Sequence, residues 1–153
     1  MMTLTDFLRE NQIFLDLHPK DMPECLQMIV EAAAAAGAIR DPKDALARLM
    51  ERERTMSTGM GSGVAVPHAK TTTCNNMIVA LGVVPDGVDF KAIDGKPVHV
   101  VFMLLGPPDS TRLHVDLLAR VAWVVKVPGV LDALRNARAP HQVLDALRGV
   151  PRH

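Results

Sequence analysis

The chain has 153 residues, 17 basic and 17 acidic side chains, and a formal net charge of zero. That length predicts one domain, residues 1–153, able to bury a core without disulfide or metal staples. Neutrality removes the long-range pull towards nucleic acid or anionic membranes, and with no tyrosine and one tryptophan stacking on single strands is not expected either.

The opening "MMTLTDFLRE" carries an early acid and no apolar centre, so it does not read as a signal peptide. No later apolar run reaches the length of a membrane span. Asp21 opens the first helix, "DMPECLQMIVEAAAAAG". Asp21 and Glu24 have capping-box spacing, Pro23 suits a first turn, Leu26, Ile29, Val30 and Ala33 form the apolar stripe, and Gly37 ends it. Asp41-Pro42 caps a second helix through "KDALARLMERER", with Leu46, Leu49 and Met50 inward and the charges outward. Cys25 and Cys74 form no metal pattern and read as reduced thiols of a cytoplasmic protein.

The period then changes. Asn76–Val84 and Pro97–Leu105 are short, nearly continuous apolar runs bounded by "PDG" and "GPPDS", which suits strands covered on both faces. Asp109 or Ser110 caps a third helix, "TRLHVDLLARVAWVVK". Two short helices follow, the first after Pro128 and the second from Pro140. The order predicts an α/β fold, a mixed β-sheet sandwiched between α-helices.

The candidate chemistry lies in "STGMGSGVAVPHAK", Ser57 to Lys70. Gly59, Gly61 and Gly63 allow positive φ and close approach by an anion. Ser57 and Thr58 supply hydroxyls, and the loop amides can form an anion-binding nest. Pro67 fixes its own φ and drives Val66 to an extended backbone, so the direction of His68 is well determined. No Walker spacing follows the glycines. On the third helix His114 lines up with Leu118, Val121 and Val125, so it points to the core or to a pocket edge. Arg52 and Arg54 end the second helix, where they favour its C-terminus or reach an anion at the loop. His18, His141 and His153 read as surface histidines, and His99 as a satisfied histidine on a strand. A metal-dependent hydrolase built on His68 and His114 is the alternative chemistry, but no third ligand stands at a helpful spacing.

The stretch "RERTMSTGMGSGVAVPHAK" resembles the active-site segment of the type-2 IIA proteins of the bacterial phosphotransferase system, the fructose/mannitol family that includes the nitrogen-regulatory IIA proteins. "FKAIDGKPVHVVFMLLGPPD" and "LHVDLLARVA" resemble the later strand and helix, so the likeness covers nearly the whole chain. Ala69 stands where a glycine is usual. The resemblance implies a cytoplasmic phosphoryl carrier without cofactor or metal. It implies that His68 accepts a phosphoryl group from a histidine-containing phosphocarrier protein, supported by His114 and Arg52. Onward partners would be a IIB domain in transport, or regulated proteins in the nitrogen branch, which a free-standing unit fits better. The loop Ser57, Thr58, Gly59, Gly61 and Gly63 is expected to surround the phosphate, with an exposed "GVAVP" surface as docking patch.

Overall fold

A computed structural model describes residues 3–151; His153 lies outside them. Two 3₁₀ turns, Leu4–Asp6 and Glu10–Gln12, lead into strand β1 (Ile13–Phe14). Helices α1 (Met22–Ala35) and α2 (Pro42–Thr55) precede three short strands, β2 (Gly59–Gly61), β3 (Val64–Ala65) and β4 (His68–Lys70). The long strands β5 (Ile78–Val88) and β6 (Val98–Gly106) follow, then α3 (Thr111–Val124), α4 (Val130–Arg135) and α5 (Pro140–Arg148). The strands join in the order β1-β5-β6-β3-β2, with β4 also on β6. Pairings β5–β6 and β2–β3 are antiparallel; β1–β5, β3–β6 and β4–β6 are parallel.

The sheet is mixed and lies between two apolar layers, as the sequence predicts. Side chains of a strand alternate between faces. Val100, Phe102 and Leu104 of β6 pack with Leu117, Val121, Leu134 and Val143 of the C-terminal helices. Val101, Met103 and Leu105 pack on the other face with Leu26, Ile29 and Leu49 of α1 and α2. Burial of a side chain such as Phe102, fully inaccessible here, stabilises by about 1.5–3 kcal/mol. Gly82 of β5 permits the close approach of α1, because a Cβ there would lie 2.8 Å from Ile29 Cδ1.

Three local expectations change. "PDG" does not end its strand: Pro85, Asp86 and Gly87 stay inside β5 as a bulge, and the register shifts between Val83 and Val88. Gly87 takes φ 81°, which absorbs the kink. On α3 the buried positions are His114, Leu117, Val121 and Val124, not the predicted line through Leu118 and Val125. Ser110 holds the N-cap position of α3, but its hydroxyl donates back to the Pro107 carbonyl at 2.5 Å. At α1 Asp21 is the cap, as read, with the Glu24 amide donating to its Oδ1 at 2.9 Å, but the Glu24 carboxylate takes the Lys20 amide at 3.0 Å and does not close a capping box on Asp21.

Candidate functional site

Three elements converge at the C-terminal end of β6. His68 opens β4 opposite Leu104, and the Leu104 amide donates to the Pro67 carbonyl at 2.9 Å. Pro67 is buried, so the segment before the histidine is fixed by both its ring and the ladder. The imidazole is half-buried. Its Nδ1 lies 2.8 Å from the Val66 carbonyl oxygen. A carbonyl only accepts, so Nδ1 carries the proton and Nε2 keeps its lone pair.

His114 comes from the first turn of α3. Its ring centroid is 6.2 Å from that of His68, with the planes inclined by 50°. The residue is only 3% exposed, and neither ring nitrogen has a hydrogen-bond partner. A buried polar atom left without a partner costs stability. Lys70 Nζ donates to Thr111 Oγ1 at 2.5 Å and so ties β4 to the same turn of α3.

Electrostatics favour neutral rings. Burial pushes the His68 pKa below the ordinary histidine value; the Val66 hydrogen bond opposes this, Arg52 and Lys70 add to it, and Glu53 counters them. His114 is driven down to about 4, by burial first and then by His68 and Lys70. A neutral imidazole with a free Nε2 is a nucleophile at neutral pH.

Arg52 lies in the last turn of α2, close enough for its charge to act on His68. Its Nη1 donates to the Met56 carbonyl at 3.2 Å, which occupies one of its donors at the helix end. Arg54 instead lines a separate groove of about 690 Å³ with Lys20, Met56 and Phe90.

The glycines are not gathered around His68. Gly59–Gly61 and Val64–Ala65 form a β-hairpin whose tip, Gly61, Ser62 and Gly63, has φ of 87°, 58° and 83°. Gly63 accepts from the amides of His99 and Val100, at the start of β6, whereas His68 pairs near its end. At the 3.3 Å rise of a strand residue, the hairpin tip and the imidazole stand roughly five residues apart. Gly59 is needed for another reason: a Cβ there would meet Ala92 Cβ at 2.8 Å. The Ser57 hydroxyl donates to the Phe90 carbonyl and accepts from the Gly59 amide at 3.0 Å, so it too serves the hairpin. Of the predicted loop, Thr58 runs nearest in register, its carbonyl taking the Val66 amide at 3.0 Å.

The "GVAVP" segment is no surface. Val64, Ala65 and Val66 are 0%, 0% and 2% exposed, because β3 lies between β2 and β6 and turns its side chains into both cores. Among the described residues the exposed large apolar side chains are Met56, Met60, Ile93 and Val115, and Val115 directly follows His114. His18 is a surface histidine between Asp16 and Asp86, and His99 is satisfied by the Val84 carbonyl at 3.0 Å.

Two residues of the site escaped the sequence reading. Gly106 ends β6, and a Cβ there would meet Ser110 Oγ at 2.6 Å and His114 Nε2 at 3.0 Å. Glu53, on the charged face of α2, is buried and accepts from Thr58 Oγ1 at 2.6 Å and from the Thr58 amide at 3.0 Å. Its spacing of five residues to Thr58, across a helix end, was the available signal.

Residues 6–149 match the family described as "Phosphoenolpyruvate-dependent sugar phosphotransferase system, EIIA 2". The chain belongs to that family. It is 31% identical over 137 residues to a nitrogen regulatory protein of Pseudomonas aeruginosa, covering 90% of this chain and 89% of that one. It is 30% identical over 146 residues to a fructose-specific EIIABC component of Bacillus subtilis, covering 95% of this chain but only 23% of that protein. The crystal structure of the nitrogen regulatory protein IIA-Ntr of Neisseria meningitidis superposes with a TM-score of 0.85 at 26% identity, over 93% of this chain and 97% of that one. The chain is therefore a type-2 IIA component, a relay member of the phosphotransferase system. Among the described residues no helix is long and apolar enough to cross a membrane.

Proposed function

We propose that this IIA component carries its phosphoryl group on Nε2 of His68. The observation that supports this best is the Nδ1 hydrogen bond to the Val66 carbonyl, which directs the free nitrogen away from the strand. The donor is a histidine-containing phosphocarrier protein. Its phosphorus–nitrogen bond breaks as the Nε2 lone pair of His68 forms the new one, and the electron pair returns to the donor imidazole. No redox partner or metal enters that balance. The proton stays on Nδ1 of His68, and the Val66 carbonyl that accepts it steadies the positive charge of the phosphorylated ring. His114 offers an N–H to the transferring oxygens, with Arg52 and Lys70 adding positive charge nearby.

The metal-dependent alternative has no donor set to rest on: among the described residues no three His, Cys, Asp or Glu side chains cluster to hold an ion. The test of the carrier reading is incubation with phosphoenolpyruvate, the general phosphotransferase enzyme and the phosphocarrier. One acid-labile phosphate is expected on the native protein and none on His68→Ala; full labelling of His68→Ala refutes the assignment.

The onward partner is read as a regulated protein of the nitrogen branch. The superposition on IIA-Ntr, which covers 97% of that chain, supports this. The fructose-specific relative supports the other destination, a IIB domain in sugar transport. A partner that binds the phosphorylated and unmodified forms with several-fold different affinity is the regulatory outcome. Rapid loss of the phosphoryl group to a purified IIB domain, with no such partner, is the transport outcome.

A further inference from the structure

We infer that Glu53 is a positioning residue for His68, acting through an unbroken chain of hydrogen bonds that runs from α2 to the imidazole. The chain has four links. Glu53 Oε1 takes the Thr58 hydroxyl at 2.6 Å and Oε2 takes the Thr58 amide at 3.0 Å. The Thr58 carbonyl takes the Val66 amide at 3.0 Å. The Val66 carbonyl then takes the Nδ1 proton of His68 at 2.8 Å. Both carboxylate oxygens act as acceptors, and together they fix the donor directions of a single residue.

A buried carboxylate is costly unless its oxygens are hydrogen-bonded. Among the described residues Thr58 supplies both hydrogen bonds to the Glu53 carboxylate. Charge-assisted bonds of this kind are shorter and stronger than neutral ones. The 2.6 Å contact to the hydroxyl fits that description. The result is that the Thr58 amide and hydroxyl are clamped to the end of α2, and the Val66 amide is clamped to the Thr58 carbonyl. The Val66 carbonyl that selects the imidazole tautomer sits one Cα beyond that clamped amide, so loosening the Glu53 clamp lets the residue that carries it drift. β6 supports the segment from its other side; on the β2 side the ladder adds little, because β2 and β3 pair over very few residues and their register shifts between Gly59 and Gly61.

A second clamp works on the other side of His68. Asp44, in the first turn of α2, accepts from the hydroxyls of Thr71 and Thr73, the latter at 3.1 Å. Helix α2 thus grips the chain both before and after the histidine, and it also carries Arg52. The first clamp is the one linked to the imidazole.

This inference rests on His68 as the phosphoryl acceptor, but its readout does not need transfer to occur. The full-length protein labelled with ¹⁵N is examined in its unphosphorylated state, using long-range ¹H–¹⁵N correlations of the His68 ring. The native ring is expected as a single Nδ1–H tautomer. In Glu53→Leu both acceptors are gone and the Thr58 amide and hydroxyl lose their partner, so the Nδ1–H share should fall and the rate of phosphoryl acceptance should drop roughly tenfold, as when a group orienting a functional imidazole is lost. Thr58→Val removes only the hydroxyl branch and should shift the tautomer less; Thr58→Ser keeps both branches and should keep the native ring. Amide signals of β5 and α5 report whether each variant keeps its fold, and Thr58→Val stands in if Glu53→Leu does not. A native tautomer in folded Glu53→Leu or, failing that, Thr58→Val overturns the inference, whatever the rate. A native protein that accepts no phosphate while the tautomer shifts would instead overturn the carrier reading and leave the clamp standing.

Discussion

Gly106 and His114 occupy each other's space: a Cβ on Gly106 would stand 3.0 Å from His114 Nε2 and 2.6 Å from Ser110 Oγ. The end of β6 is bare so that the first turn of α3 can press its histidine against the sheet. Gly106→Ala should therefore move His114 rather than merely crowd the core. The expected cost is about 1–3 kcal/mol of stability, the usual range for overpacking. Phosphoryl acceptance should slow while His68 remains the labelled residue. Denaturation and labelling kinetics on the same preparation check both effects; a native rate would show that the position of His114 does not matter to transfer.

His114 itself is expected to assist without carrying the phosphate. Its buried, unpartnered ring fits a donor that finds its acceptor only when the phosphoryl group arrives. His114→Ala should slow transfer by roughly 10²-fold, the loss of one oriented donor, with labelling still confined to His68. Quenched-flow labelling measures it. An unchanged rate would return His114 to the role of a core histidine.

The two site histidines also predict acid sensitivity. Both are held below the ordinary value of 6.5, His114 down to about 4. The unfolded chain then takes up protons from pH 6.5 downwards while the folded protein resists. Stability is fully present above pH 6.5 and declines as pH falls towards 4. For His114 the difference amounts to about 3 kcal/mol. His18, raised by Asp16 and Asp86, works in the opposite direction, so the test is a comparison. Urea denaturation at pH 7 and pH 4.5 should show a smaller difference for His114→Leu than for the native protein. Equal differences would mean that His114 titrates normally.

Much of this architecture was legible before any coordinates. The two long strands announced themselves as the apolar runs Asn76–Val84 and Pro97–Leu105, because both of their faces are covered. Pro67 announced the fixed direction of His68, because proline restricts the chain locally. What stayed hidden depends on register and phase. The glycines around Ser62 looked like an anion loop, since local sequence does not say which end of β6 a hairpin will join. The stripe of α3 was read one residue off, since Leu117 and Leu118, like Val124 and Val125, are equally apolar neighbours. Glu53 passed for a solvent charge because its partner, Thr58, lies beyond the helix end. The "GVAVP" segment passed for a docking surface because a two-residue strand gives no sign that it is enclosed.

The central claim is that the phosphoryl group resides on Nε2 of His68. The direct measurement is an NMR spectrum of the ¹⁵N-labelled protein phosphorylated through the phosphocarrier, reading the phosphorus coupling to the ring nitrogens. Coupling to Nε2 of His68, with the Nδ1 proton still present on the Val66 side, is the predicted result. Coupling to Nδ1, or to either nitrogen of His114, would contradict it.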